Sequence, residues 1–308
     1  MRAARNRLAS LALASAVGLA AAPLAATGDQ SVTQPAAMLE LDVPDVSTPH
    51  LTRSAPPAFR AHFGKADLYV PTFFHLVDGN YDLIIHFHGM SSVQESNIEK
   101  AHLNAAIVSL TLGFGSGPYE DAYREPGAFA RLIAVSQWAM GRSGRADGAK
   151  LGRVALSSWS AGYGAVAAIL RQPANVNRLD ALLMAEGPHS NYLGKDHQRV
   201  DDAPLAKYLR FAKAAQSGDK LFVMTHSAIH TDDYPSTTET IGELLELASV
   251  AKIPDAAVGP RGMQRIYDGD CGDFHVKGYE GDAVKDHVDH IRAMDVTMYP
   301  YLKRRWAH

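Results

Sequence analysis

The stretch Ser157-Ser158-Trp159-Ser160-Ala161-Gly162-Tyr163-Gly164-Ala165-Val166 constrains the fold of this chain more than any other. Just before it, Leu151 to Leu156 carries Val154, Ala155 and Leu156, a short apolar run of the kind a buried parallel strand shows. Just after it, Ala161 to Arg171 is mostly small and apolar and contains no proline. The chain therefore reads strand, sharp turn, helix, with Ser160 at the turn. A strained turn of this kind tolerates only small neighbours, and Ser158, Ala161 and Gly162 supply them. A glycine-rich turn leading into a packed helix would carry the same residues, so the rest of the chain must decide between them.

Further strands and helices are expected on both sides of that turn. Ala66 to Pro71 reads as a short strand, Asp78-Gly79-Asn80 as a turn, and Tyr81 to Phe87 as an apolar strand running into His88-Gly89. Asn104 to Leu112 is a candidate strand, Gly113 to Pro118 a glycine-rich loop, and Pro126 to Met140 an amphipathic helix. Beyond the turn, strands are expected at Leu179–Met184, Leu221–Thr225 and Phe274–Tyr279. Helices are expected at Asp201–Ser217, at Thr237–Ala251 and around Val288, Ile291 and Met294. Strands that alternate with helices imply a mostly parallel sheet with helices on both faces. The segment between the strands at Leu179 and Leu221 leaves little chain for a large lid.

Ligands bind such sheets outside the carboxyl ends of the strands. The polar groups there are His88 after the strand ending at Phe87, Ser160 after the central strand, and Glu186 and His189 after the strand ending at Met184. His226, His230, Asp232 and Asp233 follow the strand ending at Thr225, and Asp286, His287 and His290 follow the last strand. A serine, a carboxylate and a histidine thus occur at strand ends in that order.

Taken with His88-Gly89 and Ser158-x-Ser160-x-Gly162, this order resembles the α/β-hydrolase superfamily, of the esterase and lipase kind, from about Asp67 to the C-terminus. Ser158 departs from the family pattern, which has glycine at that place. The resemblance implies an α/β fold with a doubly wound, mostly parallel sheet flanked by helices, and no large lid. It implies a Ser-His-acid triad cleaving an ester through an acyl-serine, with Ser160 as nucleophile at an elbow and His287 as base. The oxyanion hole would use the backbone of Ala161 and of Met90 or Gly89, with His88 and Trp159 shaping the substrate site. The acid is expected to be Glu186, which lies close to its strand and beside a Gly187-Pro188 turn. Asp232 is the alternative, further out in a polar segment. His290 and His275 compete with His287, and one of them is expected to be a surface histidine with no role. No cofactor and no metal are expected. Asp268, Asp270 and Asp273 are expected to be a solvated turn rather than a calcium loop.

Two other readings compete with the serine hydrolase. One is a metal-dependent hydrolase built on the His86/His88 and His226/His230 pairs. The other is a non-catalytic ligand-binding protein on the same fold. The formal net charge of −3, with no basic tract after the first residues, argues against nucleic acid as a partner. The partner expected is a small-molecule or polymeric ester. The single cysteine, Cys271, excludes an internal disulfide.

The start of the chain reads as a targeting segment. Arg2, Arg5 and Arg7 precede an uncharged Leu8–Leu19 run, and small residues follow at Ala20-Ala21-Ala22 and Ala25-Ala26. Residues 1–26 are therefore expected to be a secretory signal peptide, removed on export to the periplasm or beyond, with no stable membrane anchor left. Residues 27–57 are expected to be a flexible arm, and residues 58–308 the α/β-hydrolase domain.

Overall fold

The computed structural model describes residues 56–194 and 199–307. The expected signal peptide and all but the last two residues of the expected arm lie outside the described residues.

The strands are β1 (Phe59–Phe63), β2 (Ala66–Val70), β3 (Asn80–Phe87), β4 (Ala106–Leu110), β5 (Lys150–Trp159), β6 (Ala181–Ala185), β7 (Tyr192–Leu193), β8 (Arg199–Val200), β9 (Leu221–His226), β10 (Ile253–Pro254), β11 (Arg265–Cys271) and β12 (Phe274–Tyr279). The helices are α1 (Ser91–Ala101), α2 (Gly117–Ala122), α3 (Ala128–Gly141), α4 (Tyr163–Ile169), α5 (Pro173–Arg178), α6 (Ala206–Gln216), α7 (Thr237–Ala248), α8 (Val284–Arg292), α9 (Met294–Thr297) and α10 (Tyr299–Arg305). One sheet runs β1-β2-β4-β3-β5-β6-β9-β12-β11-β10, and β7 and β8 form a small separate hairpin. Every pairing from β4 through β12 is parallel. Both edges are antiparallel, β1 and β2 on one side and β11 and β10 on the other. This strand order, with helices over both faces, is the α/β-hydrolase fold. The β7–β8 hairpin, a short 3-10 turn (Ala203–Leu205) and α6 separate β6 from β9 among the described residues, and no large lid is inserted there.

Alternation along the central strands explains why the sheet is covered twice. Leu83, Ile85 and Phe87 of β3, Val154 and Leu156 of β5, and Leu182 and Met184 of β6 pack toward α2, α3, α4, α6 and α7. Their neighbours Ile84, Ala155, Ala181, Leu183 and Ala185 pack toward α1, α8, α9 and α10. Successive side chains point to opposite faces, so strands apolar at every position need partners on both sides. Helix α7 begins with a reciprocal cap: Ser236 Oγ accepts from Glu239 N, and Glu239 Oε2 accepts from Ser236 N.

The end of the sheet away from the strands' carboxyl termini is closed by the last turn of the chain. Arg305 donates Nη2 and Nε to both oxygens of Asp180, at 2.9 and 3.0 Å, and Nη1 to Asp273 Oδ2 at 2.9 Å. Trp306 Nε1 adds a 2.7 Å bond to Asp180 Oδ2. Removing one partner of a largely buried, bidentate pair strands the other charge. Arg305→Ala is therefore expected to lower unfolding free energy by about 2–3 kcal/mol, read from a urea titration. An unchanged midpoint would show that α10 is not held by this clasp.

The loop reading of Asp268, Asp270 and Asp273 needs correction for two of the three. Asp268 lies within β11 against Arg265 and Lys277, and Asp270 sits in the same strand beside His275 Nδ1 at 2.6 Å. Only Asp273 stands in the hairpin turn, and it is tied to Arg305. Asp268 and Asp270 pair across the β11–β12 hairpin with Lys277 and His275, and Asp273 pairs with α10.

Candidate active site

The sheet reverses its winding between β3 and β5. Chain order places β4 on one side of β3, and the next strand, β5, returns to the other. Loops leaving the carboxyl ends of β3 and β5 therefore diverge and open a crevice between them. His88-Gly89-Met90 leaves β3 there, and Ser160-Ala161-Gly162 leaves β5.

Ser160 takes φ 47°, a left-handed conformation that non-glycine residues adopt only under constraint. The constraint is visible next to it. A Cβ on Gly162 would lie 2.1 Å from the Phe87 carbonyl oxygen of β3, so only glycine lets the turn pass this close to the neighbouring strand. Ser158, in the family's glycine position, is buried, and its hydroxyl has no partner among the described residues. Ser160 itself is partly exposed.

Glu186 stands one residue past β6, also at positive φ (57°), and is 1% exposed. Three hydrogen bonds reach its carboxylate, and a second imidazole stands close by. Ser227 N donates to Oε1 at 2.6 Å and Ser227 Oγ to Oε2 at 3.0 Å. His287 Nδ1 lies 3.0 Å from Oε2, and His290 Nε2 lies 3.2 Å from Oε1. Burial alone would push this carboxyl up. The two imidazoles of α8 outweigh it and hold the group down at about 2, so Glu186 is ionised. With an ionised acceptor, the His287 nitrogen facing it is the protonated one.

His287 sits in the first turns of α8, where Asp286 Oδ2 accepts from the Ala283 N–H at 3.1 Å and fixes the helix start. Trp159, immediately before Ser160, donates Nε1 to the His287 carbonyl at 3.0 Å, and its ring lies 4.8 Å from the His287 ring. From the β6 side, a Cβ on Gly187 would lie 3.7 Å from the Ser160 carbonyl. The serine, the histidine and the carboxylate thus belong to one corner of the sheet edge.

The β3 loop is equally fixed. His88 lies at φ 75°, with its Nδ1 2.7 Å from the Tyr119 hydroxyl and its ring stacked on Trp159 at 5.1 Å. Burial, with His287 nearby, pushes the His88 imidazole down to about 4. Thr111 Oγ1 donates to the Gly89 carbonyl at 2.5 Å. In a trans peptide, the Met90 N–H then points the opposite way from that carbonyl. Met90 begins α1 as an exposed cap.

Several histidines and one aspartate belong elsewhere. His86 and Ser157 are paired 2.8 Å apart across β3 and β5, but both are fully buried within the sheet. No substrate can reach that serine. The other His86 nitrogen lies 2.8 Å from the His88 carbonyl, so this pair braces the loop after β3. Burial holds the His86 imidazole down at about 3. His226 faces the Tyr267 hydroxyl at 2.6 Å, and His230 is exposed beside Asp232 at 3.3 Å. Asp232, with 94% of its side chain exposed, is paired with that surface histidine and not with His287. The ring nitrogens of His86 and His226 are thus already engaged. Among the described residues, no three His, Cys, Asp or Glu side chains converge so as to hold a metal ion.

The expectation of a roleless surface histidine among His287's rivals is overturned. His290 is 1% exposed and its Nδ1 lies 2.9 Å from Thr225 Oγ1. His275 is mostly buried against Asp270 and Tyr301. Sequence reasoning also missed Ser227 and Thr225 as partners of this site. The signals were present: a polar Thr-His-Ser run closing an apolar strand, and His290 one helical turn after His287, hence on the same face.

The arrangement is serine-hydrolase-like. Comparison with known proteins adds only distant likenesses. No protein-family model matches the chain, and no curated protein matches it in sequence. Among solved structures, it is similar to the feruloyl esterase module from Clostridium thermocellum, with 11% identity over 83% of this chain and 91% of that one, at a TM-score of 0.46. It is also similar to the siderophore hydrolase EstB from Aspergillus nidulans, with 16% identity over 87% and 99% of the two chains and a TM-score of 0.40. A glucuronoyl esterase from Solibacter usitatus gives 11%, 79%, 77% and 0.36 by the same measures. At such values these likenesses carry no argument, and the fold is assigned on the chain's own strand order. Among the described residues, no helix is long and apolar enough to cross a membrane.

Proposed function

We propose that this chain is a serine hydrolase that cleaves a carboxylic ester through an acyl-serine intermediate. One observation carries the reading: a fully buried carboxylate is hydrogen-bonded to the imidazole of His287, whose backbone is tied to the residue before Ser160. Glu186 fixes the tautomer with Nδ1 protonated and leaves Nε2 as the base. Ser160 Oγ is the hydroxyl whose proton this base takes.

In the first step the Ser160 oxygen attacks the ester carbonyl carbon while His287 Nε2 takes its proton. The tetrahedral oxyanion is met by the N–H groups of Ala161 and Met90. Collapse expels the alkoxide, which receives the proton from His287. Water then repeats the sequence on the acyl-serine and releases the acid. The leader-like sequence of residues 1–26 supports export before activity.

Covalent labelling by a fluorophosphonate probe tests the assignment. The wild-type chain is expected to label stoichiometrically, and Ser160→Ala not at all. Ser157→Ala, at the buried serine, is expected to keep its labelling. Probe incorporation that persists in Ser160→Ala removes the nucleophile assignment, and an inert wild type would favour the non-catalytic reading.

A further inference from the structure

Glu186 meets two imidazoles, and the reaction above uses only one. His290 lies three residues after His287 on α8, so both rings project from one face of the helix toward the same carboxylate. His287 approaches Oε2 and His290 approaches Oε1. His290 is buried as completely as Glu186. Its Nδ1 faces the Thr225 hydroxyl at 2.9 Å, and its Nε2 forms no hydrogen bond of good angle, although it stands 3.2 Å from Glu186 Oε1. A buried imidazole nitrogen without a partner is costly, and this one points at the carboxylate that holds the catalytic base.

We infer that His290 is a positioning residue for the ester-cleaving site: as a neutral imidazole it accepts from the Thr225 hydroxyl at Nδ1 and presents its Nε2 proton to Glu186 Oε1. The inference rests on the serine-hydrolase reading. The second imidazole shares the carboxylate's charge and stops the carboxyl from turning about its own axis. Oε2 is thereby kept in line with His287. Ser227 already holds one donor on each oxygen, so His290 completes the shell rather than building it alone.

The groups facing His290 are few and named. Glu186 comes from the end of β6, Thr225 and His226 from β9, and Tyr279 from β12 with its ring 5.3 Å away. Asp286, His287 and Asp289 lie on α8 itself. Asp289 is occupied by Arg261 and Lys285. Of these groups, only Glu186 joins His290 to His287 through one carboxylate.

The test uses the full chain with p-nitrophenyl acetate as the probe, after fluorophosphonate labelling has established an active wild type. His290→Phe keeps a ring of similar size and loses both nitrogens. It is expected to lower kcat about ten-fold with KM within about two-fold, because orientation of the base matters in the transition state more than in binding. The acidic limb of its kcat/KM profile is expected to move to higher pH, since the carboxylate charge that His290 shared then falls on His287 alone. His290→Gln can still present an N–H to Oε1 and is expected to recover most of the loss. If the phenylalanine variant does not fold, Thr225→Val, which frees the ring from its anchor, is expected to shift kcat and the acidic limb the same way. Unchanged kcat and an unmoved limb in a folded His290→Phe chain overturn the inference, as do equal losses with Phe and Gln. A wild type that neither labels nor turns over the probe overturns the underlying reading instead.

Discussion

Replacing Glu186 by glutamine is expected to lower kcat by about 10⁴-fold while leaving the fold in place, an effect of the size seen when a triad carboxylate becomes an amide. The substitution keeps the volume and removes the charge. Ser227 N–H can still reach the amide oxygen. The amide NH2 would then face His287 Nδ1 and force the proton onto Nε2, which would leave the base protonated at the wrong nitrogen. Asp232→Asn is the control. Asp232 is exposed and, among the described residues, paired with exposed His230, so its loss is expected to change kcat less than two-fold. Steady-state kinetics on a simple aryl ester separates the two. Equal losses would mean that another carboxylate orients the histidine.

The second large effect is on stability in acid. His86, His88, His189, His226 and His290 are all held below the ordinary imidazole range, in each case chiefly by burial. The folded chain keeps these rings neutral, whereas the unfolded chain takes up protons below about pH 6.5. The unfolded state then binds more protons, so stability must fall as pH falls. This contribution is whole above pH 6.5. It is lost progressively toward about 4, where His88 and His226 protonate in the folded chain, and about 3 for His86. Each ring can contribute up to about 1.4 kcal/mol per pH unit in that window. Glu186 acts in the same direction but lower, its contribution being present above about pH 4.3 and lost toward about 2. A loss on the order of 5 kcal/mol between pH 7 and pH 4.5 is expected, read as a falling urea midpoint. A flat midpoint across that range would mean that these rings are charged or open to water in the native state.

The sequence exposed the centre of this fold well and its margins poorly. The central strands were legible because each is apolar at nearly every position, which only a sheet covered on both faces requires. Ser160 was legible because small residues crowd one turn, and the approach of Gly162 to Phe87 gives the reason. Strand β1 was not, since His62 and Arg60 interrupt a half-exposed edge. Strand β11 was hidden because Asp268-Gly269-Asp270-Cys271-Gly272-Asp273 carries turn residues, and only its pairing with β12 makes it a strand. At the site, the distance of Glu186 and Asp232 from their strands was readable, and burial follows it. The pairing of one acid with two histidines was not readable, because it depends on how α8 lies over the ends of β6 and β9. No local pattern encodes that placement.

The crevice at the β3/β5 divergence has one more meaning. The groups proposed for bond cleavage are moored to strand ends and to one helix, whereas connecting segments nearby also carry exposed side chains. Exposed Phe114, in the segment after β4, belongs to such a stretch. Selection could recut such stretches residue by residue, and so change which esters are accepted, without disturbing either apolar layer of the sheet.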